Sequence, residues 1–118
     1  MLKDCPNKPN CVSTRASSTR QRMPPLKPVC SDEEAIQQVA EVVARYPRTK
    51  MVQQEMHYLH ATFTSRVLRF VDDVEFEMEN GLLHFRSASR IGYSDLGANR
   101  KRMQQIVEDL LQRGFELA

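Results

Sequence analysis

The segment "RSASRIGYSDLGANRKR", Arg86 to Arg102, crowds four arginines, a lysine, an asparagine, an aspartate and several serines into a single crossover. Arg86, Arg90 and Arg100 with Asn99 are the groups that a carboxylate or phosphate needs, because guanidinium forks bind oxyanions in bidentate fashion. Their place near the start of a helix strengthens this reading, since unpaired N–H groups and the helix dipole attract negative charge. Gly92 and Gly97 are expected to let the backbone approach such a ligand closely. The opposing reading is a junction that needs only capping and charge pairing. In it Ser94 or Asp95 caps the helix, Arg86 pairs with Glu75, and Arg90 or Arg69 pairs with Asp72 and Asp73.

The cysteines offer a second chemistry. Cys5, Cys11 and Cys30 are too few, and odd in number, for a disulfide scaffold. Cys5 and Cys11 would close a small ring in an oxidising compartment and stay thiols in a cytosol. Six positions apart, they do not match the short knuckle of a zinc site, so no metal and no cofactor is expected. Cys11 with a histidine and a carboxylate would suffice for nucleophilic catalysis, but no spacing selects one trio. A thiol-dependent enzyme is therefore the alternative, and no catalytic residue is assigned.

These residues must be positioned by the elements around them. Residues 1–30 hold five of the six prolines, and six basic residues against one acid, Asp4. Their net charge is +5 and that of residues 31–118 is −3, within a total of +2. The leader has no apolar periodicity with which to form its own core, so an extended basic arm is expected, packed on or tethered to a domain of residues 31–118. The total charge is too near neutral to argue for nucleic acid, and the arm lacks an aromatic stacking platform. No apolar stretch reaches the length of a membrane span. As it stands the chain is expected to be cytoplasmic; an upstream segment, if removed, would place it in an envelope or a lumen.

Ser31 and Glu34 form a capping box that opens a helix from Asp32 to about Tyr46, with Ile36, Val39, Ala40 and Val43 as its apolar stripe. The period then changes to two. A strand is expected near Lys50 to Met56, and another in "YLHATFTS" with Leu59, Ala61 and Phe63 on the dry face. In "VEFEMENGLLHFRS", Asn80-Gly81 is a two-residue hairpin turn that sets Glu79 opposite Leu82, Phe76 opposite Phe85, and Glu75 opposite Arg86. A last helix carries Met103, Ile106, Val107, Leu110 and Leu111 and stops at Gly114. The expected fold is α+β: one domain with a four-stranded antiparallel sheet and both terminal helices on one face.

Three blocks, "CPNKPNCVS", "RFVDDVEF" and "RSASRIGYSDLGANRKR", resemble the signature of the bacterial and plant family catalogued as domain of unknown function 1499. The likeness runs from about Cys5 to the last helix. The family supplies no established activity. Many relatives carry a hydrophobic or lipoprotein-like segment before the Pro-Asn-Cys block, which implies an envelope or lumenal setting. Polar signature residues in loops imply either a network joining arm to domain or a site. Arm and crossover are thus expected side by side. Arg69, Arg86, Ser87, Ser89, Arg90, Asn99 and Arg100 would receive a small anion or a partner's carboxylate. Asn10, Cys11, Ser13, Asp72, Asp73, Ser94 and Asp95 would support them. The expected function is a non-enzymatic binding module, the third reading being an assembly protein that docks through its arm.

Overall fold

The computed structural model describes residues 2–118. Along the chain the elements are β1 (Cys11–Ser13), β2 (Leu26–Lys27), α1 (Asp32–Ala44), β3 (Thr49–Gln54), β4 (Tyr58–Thr64), β5 (Val71–Glu79), β6 (Leu82–Ser89), α2 (Ala98–Leu111) and β7 (Glu116–Leu117). The Asn80-Gly81 turn sets the centre of the sheet. Both residues have positive φ, 53° and 76°, as a tight reversal between right-twisted strands requires. The register follows from it: Glu79 faces Leu82, Phe76 faces Phe85 and Glu75 faces Arg86. Alternation then buries Val74, Phe76 and Met78 of β5 with Leu83 and Phe85 of β6, and leaves the odd-numbered β5 residues on the other face.

The architecture is α+β in one compact domain, but the sheet has seven strands rather than four, in the order β3-β4-β5-β6-β2-β7, with β1 also on β6. The three extra strands span only three, two and two residues, too few for an alternating pattern to show. They exist because β6 would otherwise leave an edge of unpaired N–H and C=O groups. β1 covers its C-terminal half, pairing Cys11 with Ala88 and Ser13 with Arg86. β2 covers its other half through Leu26 and Leu83, and pairs in turn with β7. The leader also contributes Val12, Met23 and Leu26 to the common core. It cannot make a core alone, but it completes one.

Both helices lie on the buried face. Ile36, Val39, Val42 and Val43 of α1 and Met103, Ile106 and Leu110 of α2 enter the same core. Ser31 caps α1 as the sequence predicts, its Oγ accepting from the Glu34 N–H at 3.2 Å. Two details of α2 differ. Leu111 is exposed on its outer side, and its place on the inner stripe is taken by Asn99, which is fully buried. The N-cap is Gly97, not Ser94 or Asp95. Among the described residues no helix is long and apolar enough to cross a membrane.

Candidate functional site

Asn99 stands where β1, β6 and α2 meet. From the first turn of α2 its side chain points at the sheet on the face that also buries Met103, Ile106 and Leu110. Its Oδ1 accepts from Ser87 Oγ at 2.5 Å and from Arg102 Nη1 at 3.1 Å. Its Nδ2 donates to Asp95 Oδ2 at 2.7 Å, Ser89 Oγ at 2.9 Å and the Asn10 carbonyl at 3.2 Å. Asn10 completes the circuit: its carbonyl accepts from the Ser89 N–H at 3.1 Å, and its own Nδ2 donates to the Gly92 carbonyl at 3.0 Å. One amide thus ties the leader, the last inner strand and the second helix together. A polar group so buried is tolerable only when every capacity is used, which is the case here.

Asp95 occupies the positive end of α2. Its Oδ1 accepts from the Gly97 N–H at 2.8 Å and its Oδ2 from the Asn99 N–H at 2.9 Å. Burial raises this carboxyl, but the Asn99 and Gly97 donors outweigh burial and hold it below the ordinary aspartate range. The helix end is therefore already filled by the chain's own anion. Gly97 and Gly92 take left-handed φ values of 81° and 85°, a conformation that glycine adopts without strain.

The arginines of the crossover separate into different roles. Arg90 makes a bidentate pair with Asp73, Nε to Oδ2 at 2.8 Å and Nη2 to Oδ1 at 3.0 Å. Asp73 also meets His60 Nε2 at 2.8 Å; the Arg90 hydrogen bond, assisted by His60 and opposed by burial, keeps its carboxyl below the usual range. Arg86 lies on the opposite sheet face to the core, 3.9 Å from Glu75, and is mostly covered. Arg69 sits in the exposed β4–β5 loop with φ of 58°. Arg100 hydrogen-bonds the leader, its Nη2 donating to the Arg20 carbonyl at 2.6 Å. The seven expected ligand residues are thus not gathered round one point: Ser87, Ser89 and Asn99 are consumed by the network, and Arg69, Arg86 and Arg90 point elsewhere.

Beside Arg100 there is a cleft of about 280 Å³ between leader and crossover, lined by Lys8, Arg20 and Arg100 with Asn7, Gln21 and Tyr93. Arm and crossover do lie side by side. Gln21 shapes the floor, its Nε2 donating to the Pro6 and Lys8 carbonyls at 2.7 and 2.8 Å. Ser13 holds the adjoining loop, accepting the Arg15 N–H at 3.0 Å. Ser94 Oγ accepts the Leu96 N–H at 3.3 Å in the turn before Gly97. Lys8, Arg20 and Tyr93 had no periodic signal to mark them, since the irregular leader brings the first two into place. Arg102 had one. It lies three residues after Asn99 and one before Met103, on the inward side of α2, where its Nη2 pairs with Asp72 at 2.8 Å.

Cys11 lies in this wall, where its sulfur is bonded to that of Cys5. A nucleophilic Cys11 would first have to be reduced. Cys30 is the free cysteine, and burial foremost pushes its thiol up, away from a reactive thiolate. Closing a ring across a separation of six positions contributes roughly 2 kcal/mol by chain entropy. Reduction with dithiothreitol is therefore expected to lower Tm by roughly 5–10 °C. A Cys5→Ser variant should start near the lower value and respond little, which differential scanning calorimetry would read.

Comparison with curated proteins and with solved structures finds no match for this chain. The family comparison does, and over the leader, the first six strands, α1 and all but the last residue of α2. Residues 1–110 of the 118 match the family described as "Protein of unknown function (DUF1499)", and the chain belongs to that family.

Proposed function

We propose that this domain binds a small anion, or the carboxylate of a protein partner, in the cleft between leader and crossover, and does no chemistry on it. The observation that carries this reading is the lining: Lys8, Arg20 and Arg100 supply three cations, and no lining residue is a carboxylate. Cations converging without a counter-charge lower the cost of desolvating an incoming anion. The volume of about 280 Å³ leaves room for an ion or a small carboxylate with part of its hydration. The polar network centred on Asn99 is the support that keeps Arg100 facing the leader. The Cys5–Cys11 bond favours an oxidising setting, such as an envelope or a lumen, over the cytoplasm.

Isothermal titration with phosphate, sulfate and a panel of small carboxylates tests the proposal. Saturable heat is expected with at least one of them, weakened roughly tenfold by Arg100→Ala or Arg20→Ala, as loss of a charge-assisted contact implies. Arg90→Ala should leave the affinity unchanged, because its guanidinium is held by Asp73. No saturable heat with any anion would sink the reading, as would equal loss in the Arg90 variant.

A further inference from the structure

The β4–β5 loop and the β6–α2 crossover emerge at one end of the sheet. The Arg90 N–H donates to the Val71 carbonyl at 3.1 Å, so Phe70 and Ile91 leave the ladder as neighbours. From there both segments expose large apolar side chains. Leu96 is 89% exposed, Val67 81%, Leu68 68% and Ile91 64%, with Phe70 half exposed beside them. Exposure on this scale, gathered on two adjacent loops, is not the scattered surface leucine of an ordinary soluble domain. The backbone holds the residues outward: Leu96 and Arg69 both sit at left-handed φ, 55° and 58°, a conformation unfavourable to a branched or long side chain.

The charge of this end is one-sided. Residues 65–70 contain Arg66 and Arg69 and no acid, and residues 90–97 contain one acid, Asp95, which is engaged at the start of α2. Arg48 is brought to the same end by its Nε bond to the Thr64 carbonyl at 3.0 Å, and Lys101 lies in the exposed first turn of α2. The side chains of Arg66, Arg69 and Lys101 have no hydrogen-bonding or ionic partner among the described residues. Apolar tips ringed by unneutralised cations match a surface that is apolar beneath and anionic at its rim.

We propose that this end of the domain docks on the surface of an anionic lipid bilayer. Val67, Leu68, Ile91 and Leu96 enter the headgroup–acyl boundary, and Arg48, Arg66, Arg69 and Lys101 meet lipid phosphates. Fluid lipid accepts protruding loops without the concave complement that a protein partner would need. The surface shares the crossover with the Lys8–Arg20–Arg100 cleft, but none of its residues lines that cleft, so either reading can fail without the other.

Co-sedimentation of the full chain with sucrose-loaded vesicles tests it, using equimolar phosphatidylglycerol and phosphatidylcholine against phosphatidylcholine alone. Binding is expected to the mixed vesicles and to be at least tenfold weaker on the neutral ones, since each basic residue at an anionic surface gives about a fivefold gain. The pair Leu68→Ser with Leu96→Ser should reduce partitioning at least tenfold, and separately the pair Arg66→Ala with Arg69→Ala should reduce it about 25-fold. Their thermal unfolding should match that of the unaltered chain, because these side chains bury nothing. Absence of binding to the mixed vesicles would overturn the proposal. So would binding that both pairs leave intact, which would place it on the basic leader. A dimer in sedimentation velocity that the Leu68 and Leu96 changes dissolve, without vesicle binding, would give the face to a second copy and likewise overturn it.

Discussion

Asn99→Ala should be the most damaging small substitution in the domain, removing about 3–5 kcal/mol of stability and lowering Tm by roughly 10–20 °C. The amide is wholly buried and serves both as acceptor for Ser87 and Arg102 and as donor to Asn10, Ser89 and Asp95. Its removal does more than cancel those bonds. It leaves buried oxygens on Ser87 and Asn10 with less than their full complement, and each such group costs about 1–3 kcal/mol. The sum is not additive, because Ser87 keeps the bond it accepts from Arg102 and Asn10 keeps the Ser89 N–H. Ser87→Ala is the control. It deletes one partner and leaves Asn99 the rest, so about 1 kcal/mol is expected. Urea titration followed by circular dichroism measures both. A loss below 1 kcal/mol for Asn99→Ala would mean that water replaces the amide, and that leader and helix are not joined through it.

The hairpin was legible to the residue, because Asn80-Gly81 admits few backbone solutions and alternation of burial does the rest. The capped start of α1 was legible for the same reason: local chemistry at Ser31 and Glu34 suffices. β1, β2 and β7 were not. A two- or three-residue strand is selected by the vacant edge beside it, which is a property of the finished sheet. The start of α2 failed differently. Asp95 does satisfy helix-end N–H groups, as its position suggests, but it does so from two residues upstream while Gly97 takes the cap conformation.

The candidate site was half legible. Polar density in the crossover correctly pointed to residues that do more than pack, yet type alone could not divide them between network and cleft. Asn99, expected to be a ligand group, is the hub of the network, whereas Arg100, its neighbour, faces the cleft. One residue along a helix turns a side chain by about 100°, enough to move it from the core side to the cleft side. Placing Asn99 on the stripe with Met103, Ile106 and Leu110 would have separated the two from sequence. It would also have brought in Arg102.

Arg102 gives the second large effect. Its guanidinium pairs with Asp72 at 2.8 Å, with both side chains mostly out of water, and its plane lies over Phe63 at 4.7 Å from the ring centroid. Arg102→Met keeps the apolar stem against the ring but strands the Asp72 carboxylate, and a loss of about 3 kcal/mol is expected. Asp72→Leu strands the guanidinium instead and should cost a similar amount, softened by the bonds that Arg102 retains to Ser87 and Asn99. The double variant is the decisive one. With both charges gone, Ser87 still donates to Asn99, and two apolar side chains of similar length meet beside Phe63. Its stability should return to within about 1–1.5 kcal/mol of the unaltered chain, because replacing a buried ion pair whole is far cheaper than breaking it. Chemical denaturation of the four proteins yields the coupling energy directly. Two additive losses would show that each residue acts through packing alone. Strong coupling would show that the pair was selected as a unit, one ion fixing α2 against β5 while Asn99 fixes it against β6 and the leader.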